Sequence, residues 1–236
     1  MRRFCRATLA TVLASSVMVA GATRASGQQG GQRPDPTSSG FWWAGGALVA
    51  VAAASDARFE RFSLEHRSPM LDDLGSVGNM LGTGRYLIPA SGASYVLGRL
   101  THHPHLAQGT LHTAVAYALG NVVTSIGKPV LGRHRPDTTG SAWRFRPLAT
   151  GGEWHSLPSA HTVHAFTLAG AISEEARRPW VTTLAYGAAA VVAWSRVYRD
   201  EHWASDVAIS SVMGAAIGHI TVRALHARAA ARRRTP

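Results

Sequence analysis

Cysteine is almost absent from this sequence, because Cys5 is the only one among its 236 residues. Cys5 also precedes an apolar run, residues 7–22, that we interpret below as part of an export signal. Once that signal is cleaved, the remaining chain contains no thiol. Disulfide frameworks and thiol chemistry are therefore excluded for the exported protein.

Lysine is equally scarce, since Lys128 is the only lysine among 24 basic residues. Acidic residues are also few, 13 in all, so the formal net charge is +11. A balance this basic favours anionic partners such as phosphate esters or acidic lipid surfaces. Nucleic acid is not favoured as a partner, because no nucleic-acid-binding module is recognisable.

Sequence signals for β-strands are scarce as well. Long uncharged runs rich in Ala, Gly, Leu and Val take their place, and prolines mark the ends of several runs. Such runs favour helices, so we predict an all-α bundle of about six core helices. The charged stretch 56–85 predicts a short helix and turns. The helical runs cover about residues 41–55, 86–98, 104–127, 157–173, 179–195 and 207–222.

Four segments can be distinguished along the chain. Residues 1–25 combine early arginines with an apolar run and small residues before Ser26, which is typical of a cleavable export signal. An uncleaved membrane anchor is the alternative for this segment. Residues 26–40 are rich in Gly, Gln, Pro and Ser, as flexible linkers are. Residues 41–228 are predicted to form one domain, and residues 229–236 a basic, solvated tail.

The helical runs are neither clearly soluble nor clearly membrane-spanning. Several approach the ~20 residues that cross a bilayer. They are weakly apolar, however, with His112, Asn121 and His219 inside them, and the mean hydropathy of the whole chain is close to zero. A helical protein outside the membrane and a bundle within it therefore both stay open.

The most informative motif is the segment 195–206, which contains Arg196, His202 and Asp206. If a helix begins near His202, positions i and i+4 share one face and Asp206 can reach the imidazole ring. A carboxylate on one ring nitrogen fixes the tautomer and raises the basicity of the other. His202 is therefore a candidate nucleophile or base, and Arg196 is a candidate anion clamp beside it.

Two further motifs place anion-binding groups near helix ends. Lys128, Arg133 and Arg135 lie within eight residues of one another, and they combine a point charge with planar forks. Ser159 can cap the helix that follows it, where the first-turn amides form an anion site. His161 would sit in that first turn, placed for proton transfer. Taken alone, the two motifs are better explained as a solvated basic turn and as simple capping.

In order and spacing the three motifs together resemble the tripartite signature of the phosphatidic acid phosphatase type 2 and vanadium haloperoxidase superfamily. The resemblance covers roughly residues 80–222, and the spacing of the first motif looks more like the lipid phosphatase branch. Ala160 stands where the family usually has glycine, but its backbone amide still allows an anion contact. The matching residues are Lys128, Arg135, Pro136, Pro158, Ser159, His161, Ser195, Arg196, His202 and Asp206.

The resemblance implies a role for each matching residue, in an active site at the helix ends. His202 would attack phosphorus and become a phosphohistidine, oriented by Asp206. His161 would protonate the leaving oxygen and then activate the hydrolytic water. No metal or other cofactor is implied, because phosphoryl transfer needs mainly positioning and charge neutralisation. The phosphoryl oxygens would be held by Lys128, Arg135, Ser159 and Arg196.

Other polar and aromatic residues carry weaker signals. The three histidines of residues 102–105 lack a suitably spaced acidic or cysteine partner for a metal, so we interpret them as a polar loop. His164 is interpreted as a helix-face histidine satisfied by a neighbour, although it could line the pocket. Arg133 and His134 lie off the matching positions and are interpreted as rim residues. Four tryptophans are assigned to the core rather than to a lipid-binding mouth: Trp143, Trp154, Trp194 and Trp203.

These inferences together predict an exported, metal-independent phosphatase that acts on a phosphomonoester or diphosphate, either lipid-linked or soluble. The protein would be periplasmic, or in the inner membrane with a periplasmic active site. Its rival within the same superfamily is a vanadate-dependent haloperoxidase, and the short chain argues against it. A rival of another class is a catalytically silent, membrane-associated binding protein, and the complete set of catalytic residues argues against that.

Overall fold

The computed structural model describes residues 34–136 and 141–234. Within these ranges there is no β-strand, and Arg133 and Phe145 form an isolated antiparallel bridge. The all-α prediction is confirmed. A short 3-10 helix, Gly152–Trp154, lies in the long connection between α4 and α5. The seven described α-helices are α1 (Ser39–Glu65), α2 (Pro69–Leu81), α3 (Gly84–Leu100), α4 (Pro104–Leu131), α5 (Ala160–Ala176), α6 (Pro179–Tyr198) and α7 (Ala204–Arg232).

Both ends of the chain lie partly outside the described residues. The predicted export signal and most of the predicted linker fall there, so they stay predictions. The described part of the linker leads into α1, where Ser38 Oγ accepts a hydrogen bond from the Phe41 amide at 3.3 Å. At the other end α7 continues to Arg232, so the predicted tail begins as an exposed extension of the last helix.

The structure corrects the prediction for residues 56–85. Helix α1 continues without a break to Glu65, and α2 occupies much of the remaining stretch. The physical reason is the burial of Asp56, which is only 2% exposed. Its carboxylate is bonded to Arg133 and Ser205 inside the protein, so its charge does not mark the end of a helix at the surface.

Prolines and one glycine explain several helix ends. Pro69, Pro104 and Pro179 occupy first turns, where the missing N–H costs no intrahelical hydrogen bond. Gly132 ends α4 with a φ of 56°, in the left-handed region that favours glycine. A Cβ atom at this position would collide with the carbonyl group of Arg146. Gly132 thereby turns the chain sharply after the first motif.

Helix α5 is the centre of the bundle and packs against α4, α6 and α7. Its contact with α7 is unusually close, because a Cβ atom on Gly218 would clash with the backbone oxygen of Thr167. Consecutive helices run in opposite directions, so the C-terminal ends of α4 and α6 meet the N-terminal ends of α5 and α7. The buried apolar core between α5, α6 and α7 includes Phe166, Ala169, Val192, Ala193, Val212 and Ala215.

Among the described helices, α4 and α7 are long and apolar enough to cross a membrane, judged by length and composition. The two helices differ in burial: 67% of the most apolar stretch of α7 is buried in the bundle, but only 17% of that of α4. The exposed side of α4 carries a contiguous apolar stripe that consists of Leu111, Val115, Leu119, Val122 and Ile126. An exposed apolar stripe of this kind is unfavourable in contact with water and marks a surface for lipid or another protein.

Candidate active site

The three sequence motifs meet at one end of the bundle, where four helix ends come together. The C-terminal turn of α4 supplies Lys128, and the loop after it supplies Arg135. The start of α5 supplies His161, and the last turn of α6 supplies Arg196. His202 lies just before α7. Residues that are up to 74 positions apart in the chain are thus brought to one place, as the predicted active site requires.

Arg196 has the most informative environment in this cluster. It is 0% exposed, and its Nη1 donates to Glu201 Oε2 at 3.1 Å. Its Nε and Nη2 groups have no hydrogen-bond partner among the described residues. A buried guanidinium with unsatisfied N–H groups is costly unless another group accepts from them. These N–H groups are therefore suited to an anion that the described residues do not supply.

Lys128 and Arg135 add two cations near Arg196. Lys128 Nζ donates to the backbone oxygen of His155 at 2.8 Å, which orients one of its three N–H groups. Arg135 Nε donates to the backbone oxygen of Gly152 at 3.1 Å, and its Nη1 to that of Glu201 at 3.3 Å. Both cations are thus held by backbone carbonyls, and Arg135 Nη1 also lies 3.8 Å from Glu201 Oε2, an ion pair.

His202 is buried and held in one orientation by the backbone. Its Nδ1 lies 2.6 Å from the backbone oxygen of Ser156, so this nitrogen carries the proton and Nε2 has the free lone pair. Burial lowers the pKa of His202 well below 6.5, and the positive charges of Lys128 and Arg135 lower it further. The ring is therefore neutral near pH 7, the form that a nucleophilic imidazole needs.

Asp206 lies within ion-pair distance of His202, but no direct hydrogen bond joins the two side chains. Helix α7 begins only at Ala204, so the two residues do not share a helix face, and Asp206 Oδ2 lies 3.9 Å from His202 Nδ1. Asp206 instead accepts from the Trp203 amide at 3.1 Å and from Ser156 Oγ at 2.5 Å. It therefore orients His202 through Ser156, whose carbonyl accepts the imidazole proton.

Arg133 and His134 are not rim residues, which corrects the prediction for both. Arg133 is 2% exposed, and its guanidinium donates to Asp206, to Ser205 and to Asp56. His134 is also buried, and its backbone oxygen accepts a hydrogen bond from the indole N–H of Trp203, the N-cap residue of α7. No local sequence pattern indicates the role of Arg133, because its side-chain partners lie more than 70 positions away.

His161 stands in the first turn of α5, opposite the α2–α3 junction. Its Nε2 lies 3.5 Å from Thr83 Oγ1, and a Cβ atom on Gly82 would be only 2.8 Å from the ring. Burial and the positive charge of Arg196 lower the pKa of His161 to about 4. The ring is thus neutral in the empty site, and a bound anion that offsets Arg196 and Lys128 will raise its pKa.

Ser159 occupies the N-cap position of α5, but its side chain does not cap the helix. Its hydroxyl accepts from Thr162 Oγ1 at 3.0 Å, and its amide donates to Ser210 Oγ at 2.8 Å. His164 also differs from expectation: it is 7% exposed, yet its Nε2 has no hydrogen-bond partner among the described residues. Its ring packs against that of Tyr117 at a centroid distance of 4.4 Å.

The other weak sequence signals have mixed outcomes. The histidines of residues 102–105 are exposed, two in the turn between α3 and α4 and one in the first turn of α4. This exposure agrees with the predicted polar loop. Trp203 is buried at 2% exposure, as predicted for a core residue, but Trp143 is 63% exposed. Trp154 and Trp194 are partly buried. The core assignment of the tryptophans therefore holds for one of the four in full.

The fold and this site define a class: an all-α bundle in which four helix ends enclose a cationic pocket with two neutral imidazoles. A sequence model described as the PAP2 superfamily matches residues 109–230, just over half of the chain. The chain belongs to the PAP2 superfamily.

Comparison with known proteins adds one similar sequence and two solved structures of similar fold. The chain is 32% identical to a lipid A 1-phosphatase of Porphyromonas gingivalis over 109 residues, which are 45% of this chain and 22% of that relative. Its structure is similar to Aquifex aeolicus LpxE, with 21% identity, a TM-score of 0.58 and coverage of 71% of this chain and 94% of that one. It is also similar to a transmembrane PAP2-type phosphatidylglycerolphosphate phosphatase of Bacillus subtilis, with 20% identity, a TM-score of 0.60 and coverage of 80% and 94%.

Proposed function

We propose that this protein is a metal-independent phosphatase that hydrolyses a lipid-linked phosphomonoester or diphosphate through a phosphohistidine on His202. The observation that carries the proposal is the buried Arg196, whose Nε and Nη2 groups have no acceptor among the described residues. These groups lie in a pocket with a neutral His202 and two further cations, Lys128 and Arg135. A phosphoryl group satisfies the unpaired donors and meets the nucleophile in the same place.

The proposed reaction has two displacements. His202 Nε2 attacks phosphorus, the bond to the leaving oxygen breaks, and His161 gives its proton to that oxygen. A water molecule then attacks phosphorus, His161 takes the water proton, and the bond between His202 and phosphorus breaks to release inorganic phosphate. In both steps the negative charge on the phosphoryl oxygens must be stabilised, and Lys128, Arg135 and Arg196 do so by holding these oxygens.

His161 can act first as the acid and then as the base only when phosphate is bound. The pKa of His161 is about 4, so its ring is neutral and carries only one proton at neutral pH. The negative phosphoryl group offsets the charge of Arg196, which allows His161 to be protonated when a leaving group must receive a proton. After the first step the leaving group has removed that proton, and His161 is again a base for the water.

A lipid-linked substrate is supported by the outer face of α4 and by the names of the relatives. The exposed apolar stripe of α4 begins below the pocket and runs away from it, so a lipid chain can lie along the same side of the protein. The relatives include a lipid A 1-phosphatase and a phosphatidylglycerolphosphate phosphatase. We extend to this chain the class of substrate, a phosphorylated lipid, and not either individual lipid.

Location at the outer side of the inner membrane is part of the proposal. The predicted export signal supports translocation of the chain. The end of the bundle opposite the active site carries Arg177, Arg178 and the arginines that follow α7, and clusters of this kind favour the cytoplasmic side. The active site would then face the periplasm.

The decisive experiment compares the wild type with His202→Asn, using phosphorylated lipid in detergent micelles and a soluble phosphomonoester as substrates. The wild type is expected to release phosphate in the presence of EDTA, and His202→Asn to lose this activity. With ³²P-labelled substrate and an alkaline quench, which preserves phosphohistidine, only the wild type should retain label. His103→Asn, an exposed histidine outside the site, is the matched control and should behave as the wild type.

Three outcomes would contradict the proposal. Equal phosphate release by the wild type and His202→Asn would remove the nucleophile. Preference for the soluble substrate would remove the lipid assignment but keep the phosphatase. Bromide oxidation in the presence of vanadate and hydrogen peroxide, without any phosphate release, would favour the haloperoxidase alternative.

A further inference from the structure

A second cluster of potential ligands lies at the other end of the bundle. His112 Nδ1 is 2.6 Å from Glu175 Oε1, and His226 Nε2 is 3.1 Å from the same oxygen. The two imidazole rings are 5.1 Å apart and inclined at 65°, so both rings point at the carboxylate from different sides. The three potential ligand atoms all lie within 4.8 Å of one another.

Each member of this cluster comes from a different helix. His112 lies in the third turn of α4, Glu175 in the last turn of α5, and His226 near the end of α7. Because a helix rises 1.5 Å per residue, His112 is about 24 Å along α4 from Lys128. The cluster therefore takes no part in the proposed reaction, and the proposed phosphatase gives no reason for its presence.

The side chains are placed where a metal could reach them. All three are partly buried, with exposed fractions of 12%, 22% and 33% for His112, Glu175 and His226. Glu175 and His226 also line a cavity of about 890 Å³ between α3, α4, α5 and α7. The cluster thus has protein on one side and access to small molecules on the other.

Two imidazole nitrogens and one carboxylate oxygen are a donor set that Zn²⁺ accepts. Bonds of ~2.0–2.2 Å in a tetrahedral site put ligand atoms roughly 3.3 Å apart, which the present separations approach without a change of helix positions. Three protein ligands leave a fourth position, and the cavity beside Glu175 and His226 provides room for water there. An all-oxygen cation site for Ca²⁺ or Mg²⁺ is disfavoured, since only one of the three residues offers oxygen.

We propose that His112, Glu175 and His226 bind one Zn²⁺ ion, which joins the ends of α4, α5 and α7 opposite the active site. The ion stabilises the fold because the unfolded chain does not hold three ligands from positions 112, 175 and 226 together. Its removal leaves the phosphate pocket intact at temperatures well below the unfolding transition. This inference goes beyond the proposed phosphatase and does not depend on it.

The test measures Zn²⁺ binding to the full exported chain, purified without a polyhistidine tag, stripped with EDTA and then dialysed. Titration calorimetry should show one Zn²⁺ per wild-type chain, and Co²⁺ should give the absorption bands of a tetrahedral site. At a hundredfold excess over Kd, Zn²⁺ should raise the wild-type Tm by roughly 5–10 °C. Absence of stoichiometric binding would overturn the proposal in favour of a histidine–carboxylate hydrogen-bond cluster.

Variants locate the ion. His112→Ala and the more conservative His226→Gln should each lose stoichiometric binding and the rise in Tm, while the Tm of each metal-free variant shows whether it has folded. His103→Ala, which removes an exposed histidine near the start of α4, should bind as the wild type does. Zn²⁺ that stays bound in both cluster variants would overturn the assignment.

The outcome is separable from that of the phosphatase experiment. His202→Asn should still bind Zn²⁺ at the far end, even though it is expected to be inactive. Conversely, a zinc-free His112→Ala protein should still hydrolyse phosphorylated lipid below its Tm. Loss of Zn²⁺ binding in His202→Asn but not in His112→Ala would place the metal in the phosphate pocket and contradict the inference.

Discussion

Arg196 sits inside the bundle with one ion pair, to a carboxylate that is itself about one-third exposed. Glu201 accepts from Nη1, while Nε and Nη2 are buried without an acceptor among the described residues. A lysine at this position would keep the charge but lose the planar pair of donors that fits two phosphoryl oxygens. The geometry of the guanidinium, more than its charge, is therefore what the site uses.

The first prediction concerns this geometry. Arg196→Lys should lower kcat/KM for the phosphorylated lipid by roughly 10²–10³, because a preorganised donor to the transition state is lost. Arg199→Lys is the matched control, since Arg199 also approaches Glu201 but is 41% exposed, and it should change kcat/KM by less than about threefold. Steady-state kinetics and inhibition by vanadate measure both effects. Similar losses in the two variants would show that only the overall positive charge matters.

The second prediction concerns His161, whose pKa in the folded protein is about 4 against 6.5 in an unfolded chain. Between these two values the unfolded chain binds the proton and the folded one does not. The free energy of unfolding should therefore fall as the pH drops from about 6.5 to 4, and stay level above 6.5. The loss due to this residue is at most about 3 kcal/mol.

Thermal denaturation at pH 7.5 and pH 5 measures this effect, and His161→Asn should show a smaller difference in Tm between the two. Inorganic phosphate, which offsets the charge of Arg196, should reduce the loss in the wild type. An equal pH dependence in the wild type and His161→Asn would assign the effect to other groups.

The residues of the proposed phosphate site could be predicted from the sequence, but those that support them could not. Lys128, Arg196 and His202 carry chemistry that demands one residue type at a fixed spacing, so their motifs are recognisable. Arg133 acts through Asp56, 77 positions away, and a contact of that range leaves no local pattern. The same holds for Ser156, which replaces the predicted direct bond between Asp206 and the nucleophile.

At the scale of elements, buried charge and small residues decide how the helices meet. Arg133 joins the loop after α4 to α1 through Asp56 and to α7 through Asp206, and all three side chains are at most 2% exposed. The N-terminal end of α7, next to His202, is thus tied to the first described helix. This link also explains why α1 continues into the charged stretch 56–85, although the sequence pattern predicted that the first helix ends near residue 55.

Helices α5 and α7 approach so closely that their backbones touch. Gly214 and Gly218 are four residues apart on α7, the spacing that places two small residues on one helix face. A Cβ atom on Gly214 would lie 2.5 Å from the backbone oxygen of Val163, and one on Gly218 would meet α5 more closely still. Backbone atoms cannot move aside as a flexible side chain can.

The third prediction uses two glycines in different surroundings. Gly218→Ala should destabilise the protein by about 1–3 kcal/mol, because the added methyl group separates α5 from α7. Gly187→Ala, in the helix α6, should be neutral or stabilise by about 0.5–1 kcal/mol, since nothing lies within 4 Å of the new atom. Thermal unfolding of both variants measures the difference. Equal Tm values would show that α5 and α7 are not in close contact.

At the scale of the whole molecule, the two long apolar helices α4 and α7 differ in how far the protein buries them. Most of α7 is inside the bundle, whereas α4 shows its apolar side to the surroundings along most of its length. By length and composition alone, α4 and α7 are equally suited to cross a membrane. The sequence therefore could not show which of the two is buried by the other helices. Only the packing of α5 and α6 around α7 makes that distinction, and it leaves α4 as the helix that lipid would cover.

The fourth prediction tests whether lipid covers the exposed stripe of α4, by replacing either of two leucines with arginine. Leu119 lies in the exposed stripe of α4 and is 47% exposed, while Leu148 lies in the loop beyond the helix and is 75% exposed. In water, arginine at either position costs little, because both side chains already contact solvent. In a bilayer, Leu119→Arg places a charge on the lipid side at about 2.5–3.5 kcal/mol, and Leu148→Arg does not. Alkaline carbonate extraction of membranes should therefore release Leu119→Arg and retain both Leu148→Arg and the wild type. If the wild type itself is released, α4 is covered by another protein surface rather than by lipid, and the lipid substrate must reach the pocket from solution.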